Sequence, residues 1–129
     1  MKRIFIIDDH EIMRQSYALL LSRHGGFELC GEAASAADAL AQLAGVQPDL
    51  VIVDVSLPDM DGVELLHILR RQQPELRILM ISGHTDRALI DGLLAKGAHG
   101  YLAKEQAAQR LLTAVEQVLD GQIYRHQAY

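Results

Sequence analysis

Three short runs of apolar residues constrain the fold more than any other feature of this sequence: Ile4–Ile7, Leu50–Val53 and Ile78–Ile81. Each run is rich in β-branched residues and is bounded by charged or polar residues. Runs of this kind are typical of parallel strands that are covered on both faces. Phe27–Ala34 alternates more and suits an edge strand, whereas Gly100–Ala103 suits a short last strand.

Helical patterns lie between and after these runs. Gly25, Pro74, Gly97 and Gly121 stand where helices are expected to end. In the first helix, we expect Ile12, Ala18, Leu19 and Leu20 to form the apolar stripe. Strict alternation of strands and helices predicts one α/β domain, a doubly wound, five-stranded parallel sheet with five helices. The expected helices are Glu11–His24, Ser35–Leu43, Gly62–Gln73, Asp86–Lys96 and Gln106–Asp120.

Composition narrows the functional classes. The chain has 129 residues, enough for one domain, and a formal net charge of −5, which disfavours direct binding to a phosphate backbone. No apolar stretch approaches the roughly 20 residues of a membrane span, so no membrane partner is expected. The N-terminal apolar run stops at Asp8 and does not resemble a signal peptide. The single cysteine, Cys30, fits a reducing cytoplasm.

Chemically useful side chains follow the predicted strands. In a doubly wound sheet, ligands bind at the carboxyl ends of the strands. Three acids, one hydroxyl and one amine are therefore expected at one edge of the sheet: Asp8, Asp9, Asp54, Ser82 and Lys104.

This group is suited to phosphoryl transfer. Crowded carboxylates repel one another unless a cation joins them, and Mg²⁺ suits oxygen ligands and phosphate. Lys104 adds a positive charge that can pair with a phosphoryl oxygen, and Ser82 adds a hydroxyl donor. Carboxylates form acyl phosphates, so Asp54 is the expected nucleophile.

The same residues carry a family resemblance over essentially the whole chain. The acid pair Asp8–Asp9, the segment DVSLPDMDG around Asp54, the segment ISG and the segment GYLAK resemble the response regulator receiver (CheY-like) family. The segments IFIIDDHEIMR and KGAHGYLAKE resemble its NarL/FixJ branch. The resemblance implies a flavodoxin-like sheet with strand order 2-1-3-4-5.

The resemblance also implies metal ligands and a phosphoacceptor. Asp9, Asp54 and the backbone carbonyl of Ser56 would bind Mg²⁺ directly, with Mn²⁺ as a substitute ion. Asp8 would act through a water on the metal. Asp54 would receive the phosphoryl group and Lys104 would pair with it.

Further roles concern switching and the lifetime of the phosphorylated form. Ser82 and Tyr101 match the switch positions, and Tyr101 is expected to turn inward. Ser56 and His84 match the two variable positions that tune this lifetime. Glu105 follows Lys104 where many receivers have proline, which leaves open whether that peptide bond is cis, since a non-proline cis bond costs about 2.5–4 kcal/mol.

The resemblance implies partners and a domain division. The expected kinase is a sensor histidine kinase, and homodimerisation on phosphorylation is a family expectation. Residues 1–121 are expected to form the receiver domain. Residues 122–129 are expected to begin a linker to a helix-turn-helix DNA-binding domain outside this chain, with a stand-alone receiver as the alternative.

Other functions and plainer structural roles remain open. A phosphohydrolase with an aspartyl-phosphate is disfavoured by Ser56, because such enzymes usually have an acid there. A flavodoxin-like cofactor module is disfavoured because acids replace its phosphate-binding loop. A receiver that acts unphosphorylated is a further alternative.

Each site residue also has an ordinary structural explanation. Asp8, Asp9 and Ser82 could be caps, Lys104 a surface lysine and Tyr101 packing. We interpret His10 as a surface or helix-start residue, because a nitrogen ligand suits Mg²⁺ poorly.

Overall fold

Strands and helices alternate along the chain in the computed structural model, which describes residues 1–83 and 86–125. The strands are β1 (Lys2–Ile7), β2 (Phe27–Ala33), β3 (Leu50–Asp54), β4 (Arg77–Ser82), β5 (Gly100–Ala103) and β6 (Tyr124–Arg125). The helices are α1 (Glu11–Ser22), α2 (Ala36–Leu43), α3 (Gly62–Gln72), α4 (Arg87–Ala95) and α5 (Ala107–Leu119). A 3₁₀ turn, Lys104–Gln106, precedes α5.

The sheet is parallel throughout, with strand order β2-β1-β3-β4-β5-β6. The expected order 2-1-3-4-5 and the edge position of β2 are confirmed. The sheet has six strands rather than five, because Gly100 and Tyr101 pair with Tyr124 and Arg125. Folded structure thus continues past residue 121. The start of a linker within residues 122–129 stays a prediction. Residues 126–129 lie outside the described part of the chain.

Side chains that alternate along the strands form one core on each face of the sheet. Ile4 and Ile6 face α1 and α5, whereas Phe5 and Ile7 face α2, α3 and α4. All four side chains are fully buried. This double coverage explains why the central strands read as continuous apolar runs. No helix in the described ranges is both long and apolar enough to span a bilayer.

The predicted apolar stripe of α1 was wrong in its main members. Ile12 is 75% exposed and Leu19 is 57% exposed, whereas Tyr17 and Leu21 are buried. Tyr17 and Leu21 are four residues apart, so they lie on one helix face. The prediction counted aliphatic residues and omitted the aromatic ring of Tyr17, which is buried in this core.

Helix ends follow the local signals in the sequence. The Ser35 side chain accepts a hydrogen bond from the Asp38 N–H, which confirms the expected start of α2. Asp61 and Asp86 cap α3 and α4 in the same manner. Gly97 and Gly121 follow α4 and α5 with φ of 109° and 89°, a conformation that favours glycine.

Tyr17 supplies a test of packing. Its hydroxyl is buried and has no hydrogen-bond partner among the described residues. Burial of an unpaired donor carries a desolvation cost, so Tyr17→Phe is expected to raise the free energy of unfolding by about 1 kcal/mol. Urea denaturation followed by circular dichroism measures this change.

Tyr124→Phe is the matched control. The Tyr124 hydroxyl forms a side-chain hydrogen bond with Arg110, and the residue is 6% exposed. Its removal is expected to lower the free energy of unfolding by about 1 kcal/mol. Equal destabilisation by both substitutions would contradict the assignment of Tyr17 as unpaired.

Candidate functional site

Three carboxylates meet at the carboxyl ends of β1 and β3. Asp8 and Asp9 follow β1, and Asp54 is the last residue of β3. Each of these acids and His10 offers a ligand atom, and all four atoms lie within 4.8 Å of one another. The expected convergence of these acids is therefore present in the structure.

Backbone contacts on both sides fix Asp8. Its N–H donates to the Ala33 carbonyl at 3.0 Å, and its carbonyl accepts from the Arg14 side chain at 2.6 Å. One carboxylate oxygen, Oδ1, accepts from the His10 N–H at 2.8 Å. The other, Oδ2, is buried and has no hydrogen-bond partner among the described residues. The acid is thus held in place with one oxygen left for a ligand.

The two carboxylate oxygens of Asp54 also differ in their contacts. Its Oδ1 accepts from the Ser56 N–H at 3.0 Å, whereas Oδ2 is buried and makes no hydrogen bond to the residues described by the structure. Burial raises the pKa of Asp54, and the charges of Asp8 and Asp9 add to this rise. The Ser56 N–H and the Lys104 charge oppose it. The ionised form of the Asp54 carboxyl group is therefore unfavourable unless a cation lies beside it.

Lys104 is the cationic side chain among the predicted site residues, and it lies beside the acids. It follows β5, and its Nζ lies 3.7 Å from Asp54 Oδ2 with the side chain 25% exposed. No peptide bond in the described ranges is cis, so the bond from Lys104 to Glu105 is trans. The amine can reach both the carboxylate and solvent.

Ser82 and Tyr101 form a pair beside the acids. Ser82 ends β4 and Tyr101 lies in β5, and both are fully buried. Their side chains share a hydrogen bond that lowers the pKa of Tyr101, although burial, the larger effect, raises it. The Tyr101 ring is thus already in the inward position in this structure. His84, which the sequence also suggested, lies outside the described residues.

The segment between β3 and α3 contains structural acids that the sequence analysis did not recognise. The Asp59 carboxylate accepts from the N–H groups of Ala36 and Ala37, each at 3.0 Å, at the start of α2. These bonds lower the pKa of Asp59. At Gly62, a Cβ atom would lie 2.9 Å from the Val55 backbone, so glycine allows the segment to close. Only the first acid of DVSLPDMDG belongs to the pocket.

His10 is the main site residue whose contacts the sequence analysis underestimated. It occupies the N-cap position of α1, as expected of a helix-start residue, although its side chain makes no capping hydrogen bond. Its Nδ1 also lies 3.1 Å from Asp8 Oδ1 and 3.2 Å from Asp9 Oδ1. The signal available in the sequence was its place directly after the acid pair.

The pocket fits a divalent cation. Three buried oxygens have no hydrogen-bond partner among residues 1–83 and 86–125: Asp8 Oδ2, Asp9 Oδ1 and Asp54 Oδ2. Several anionic oxygens with unused lone pairs are the ligands that Mg²⁺ and similar hard ions require. The donor set is therefore consistent with the expected metal.

Sequence comparison agrees with this architecture. Residues 4–116 match the response regulator receiver domain family. The chain belongs to that family. This confirms the resemblance drawn from the motifs, and it favours the receiver over the phosphohydrolase and flavodoxin alternatives.

Curated relatives of the receiver domain include proteins described as transcriptional regulators. It is 38% identical over 122 residues to DevR/DosR of Mycobacterium tuberculosis, described as a DNA-binding transcriptional activator, covering 94% of this chain and 56% of the relative. It is 32% identical over 124 residues to the transcriptional regulatory protein DegU of Brevibacillus brevis, covering 96% and 52%. The chain spans about half the length of the curated relatives it matches.

Solved structures agree with the fold. A two-component response regulator of the LuxR family from Aurantimonas superimposes with a TM-score of 0.90 at 32% identity, covering 96% of this chain and 89% of that one. The receiver domain of NarL from Mycobacterium tuberculosis gives 0.87 at 30% identity, covering 94% and 98%.

The receiver domain's pocket predicts a gain of stability on removal of its central charge. The raised pKa of Asp54 means that the folded state holds a proton there more tightly than the unfolded chain does. Stability therefore falls as pH rises from the usual aspartate value through the raised one. Without divalent ions at pH 7, Asp54→Asn is expected to raise the free energy of unfolding by about 1–3 kcal/mol. The gain should shrink toward pH 4.

Asp59→Asn is the control with the opposite sign. The lowered pKa of Asp59 means that its carboxylate favours the folded state, and this contribution is lost as pH falls through the lowered value. The substitution is expected to destabilise the domain at pH 7. Urea denaturation across pH measures both variants, and a destabilising Asp54→Asn would contradict the crowded-acid interpretation.

Proposed function

We propose that Asp54 accepts a phosphoryl group from a phosphohistidine of a sensor histidine kinase. The observation that carries this proposal is the buried Asp54 Oδ2, which lies 3.7 Å from the Lys104 amine and makes no hydrogen bond to any residue that the structure describes. An unpaired carboxylate oxygen beside a cation is a suitable nucleophile for an anionic phosphoryl donor.

The transfer is a substitution at phosphorus. A lone pair of Asp54 Oδ2 forms the new P–O bond as the P–N bond of the phosphohistidine breaks. The electron pair of the P–N bond stays on the imidazole nitrogen, which takes a proton from water. Lys104 then offsets negative charge on the transferred phosphoryl oxygens.

Asp8, Asp9, Asp54 and the Ser56 carbonyl are the groups proposed to hold Mg²⁺, with Mn²⁺ as the substitute. When bound, the ion supplies positive charge that offsets the carboxylates and the phosphoryl oxygens. The domain contributes by holding two of these acids in place before any ion binds. Asp8 is fixed by Ala33 and Arg14, and Asp54 by the Ser56 N–H.

Ser82 and Tyr101 are proposed to transmit the change. Ser82 would donate to a phosphoryl oxygen on Asp54. Because Ser82 shares a hydrogen bond with Tyr101 and both are buried, a change at one hydroxyl requires adjustment at the other. A difference in bond energy of this kind can shift a conformational equilibrium.

The output is proposed to be control of transcription. The relative DevR/DosR is described as a DNA-binding transcriptional activator, and it is nearly twice as long as the matched region. By analogy, a helix-turn-helix domain following residue 129 would bind DNA. Homodimerisation on phosphorylation stays a prediction, and a stand-alone receiver is the alternative.

A mass measurement tests the phosphoacceptor. The whole chain is incubated with phosphoramidate, with Mg²⁺ or with excess EDTA, and intact-protein mass spectrometry follows. We expect addition of one phosphoryl group with Mg²⁺ and none with EDTA. Peptide mapping should place the group on Asp54.

Asp54→Asn is expected to abolish labelling, and Asp59→Asn is the matched control that should label as the wild type does. Labelling of Asp54→Asn to the same extent would exclude Asp54 as the acceptor. Continuous release of inorganic phosphate from a phosphomonoester would favour a phosphohydrolase instead.

A further inference from the structure

We propose that His10 is a fourth side-chain metal ligand, through Nδ1, and that this nitrogen strengthens the preference of the acid pocket for divalent transition metals over Mg²⁺. This inference rests on the proposed function in one respect, since it concerns the same metal pocket. The chemical class is that of Mn²⁺, Co²⁺, Ni²⁺ and Zn²⁺, to which imidazole binds readily.

Distances between the donor atoms carry the proposal. His10 Nδ1 lies 3.1 Å from Asp8 Oδ1, 3.2 Å from Asp9 Oδ1 and 3.8 Å from Asp54 Oδ2. Ligands about 2.1 Å from an octahedral ion lie about 3 Å apart at adjacent corners and about 4 Å apart at opposite corners. The nitrogen therefore has the spacing of a ligand from one oxygen of each acid. For Asp9 and Asp54 that oxygen has no hydrogen-bond partner among the described residues, whereas Asp8 Oδ1 also accepts from the His10 N–H. Lys104 Nζ lies 3.4 Å from the same nitrogen, and an ion bound there would replace that contact.

The backbone holds His10 toward the pocket. Its N–H donates to Asp8 Oδ1 at 2.8 Å, and its carbonyl accepts from the Arg14 N–H at 3.1 Å in the first turn of α1. Although His10 occupies the N-cap position, its side chain makes no capping hydrogen bond. The ring is thus placed beside the acids and does not serve the helix end.

Independent evidence for a ligand comes from the acids themselves. Asp8 is 1% exposed and Asp54 is 2% exposed, and each keeps one buried oxygen that has no hydrogen bond within the described part of the chain. The His10 side chain, in contrast, is 55% exposed. The pocket therefore combines buried oxygens without partners with a nitrogen donor at an entrance open to solvent.

A competing interpretation makes the opposite prediction. The ring could simply fill the space between the carboxylates, and any ion would then have to displace it. In that case, removal of the ring would tighten the binding of every divalent ion. A ligand role predicts selective weakening, because loss of a nitrogen donor matters more to Co²⁺ than to Mg²⁺.

Calorimetric titration of the whole chain with Mg²⁺ and, separately, Co²⁺ tests the preference. His10→Asn is the informative variant, because asparagine is a favourable N-cap and should preserve α1. We expect the Kd for Co²⁺ to rise by about tenfold or more and the Kd for Mg²⁺ to change by less than about threefold. His67→Asn, at an exposed position of α3, is the matched control and should change neither.

Pulsed electron paramagnetic resonance supplies a direct readout. The chain is prepared with ¹⁵N-labelled histidine and loaded with Mn²⁺ alone. We expect a hyperfine coupling from a bound ¹⁵N nucleus in the wild type and in His67→Asn. The coupling should be absent in His10→Asn.

The outcomes separate this inference from the proposed function. Tighter binding of both ions by His10→Asn, unchanged Co²⁺ affinity, or a retained ¹⁵N coupling would overturn the ligand role, and phosphorylation of Asp54 would still stand. Failure of the wild type to bind any divalent ion would overturn both. Asp54→Asn should weaken both ions, which assigns the binding to this pocket.

Discussion

Repulsion among three carboxylates held at one edge of the sheet is the constraint on which the rest of this site depends. Asp8 and Asp54 are buried, and each presents one oxygen that accepts no hydrogen bond from any described residue. Such an arrangement opposes folding, because burial disfavours the charged form of an acid. The fold tolerates it because backbone groups fix the other oxygen of each acid. Because a cation would relieve the repulsion between these carboxylates, this edge of the sheet is suited to bind one.

Strand register determines which side chains share the pocket. Ile7 pairs with Val53, Asp54 pairs with Ile81, and Ser82 pairs with Ala103. Consecutive residues of a strand point to opposite faces, so a slip of one residue would remove the acid or the hydroxyl from the group. The two apolar cores hold this register from either side of the sheet. The arrangement of the site residues at the edge of the sheet therefore depends on packing in the two apolar cores.

Much of the fold and the site could be predicted from the sequence, because short apolar runs ending in acids are strong local signals. The remainder depended on contacts between distant segments. Asp59 and Ala36 are far apart in sequence, and nothing near Asp59 indicates that it caps α2. A strand of two residues, β6, is too short to show a periodicity. His10 was interpreted through Mg²⁺ chemistry alone, although the structure places its ring among the acids.

Pairing with β6 restrains the backbone of β5 at Tyr101. The strand that carries Tyr101 has a hydrogen-bonded neighbour on each side, β4 and β6, and is an interior strand at this residue. Interior strands lack the row of open backbone groups by which an edge strand recruits another chain. Because hydrogen bonds to both neighbouring strands hold this backbone in place, any movement of the Tyr101 ring must come from rotation about its side-chain bonds. Peeling of the strand away from the sheet would first require release of Tyr124 and Arg125.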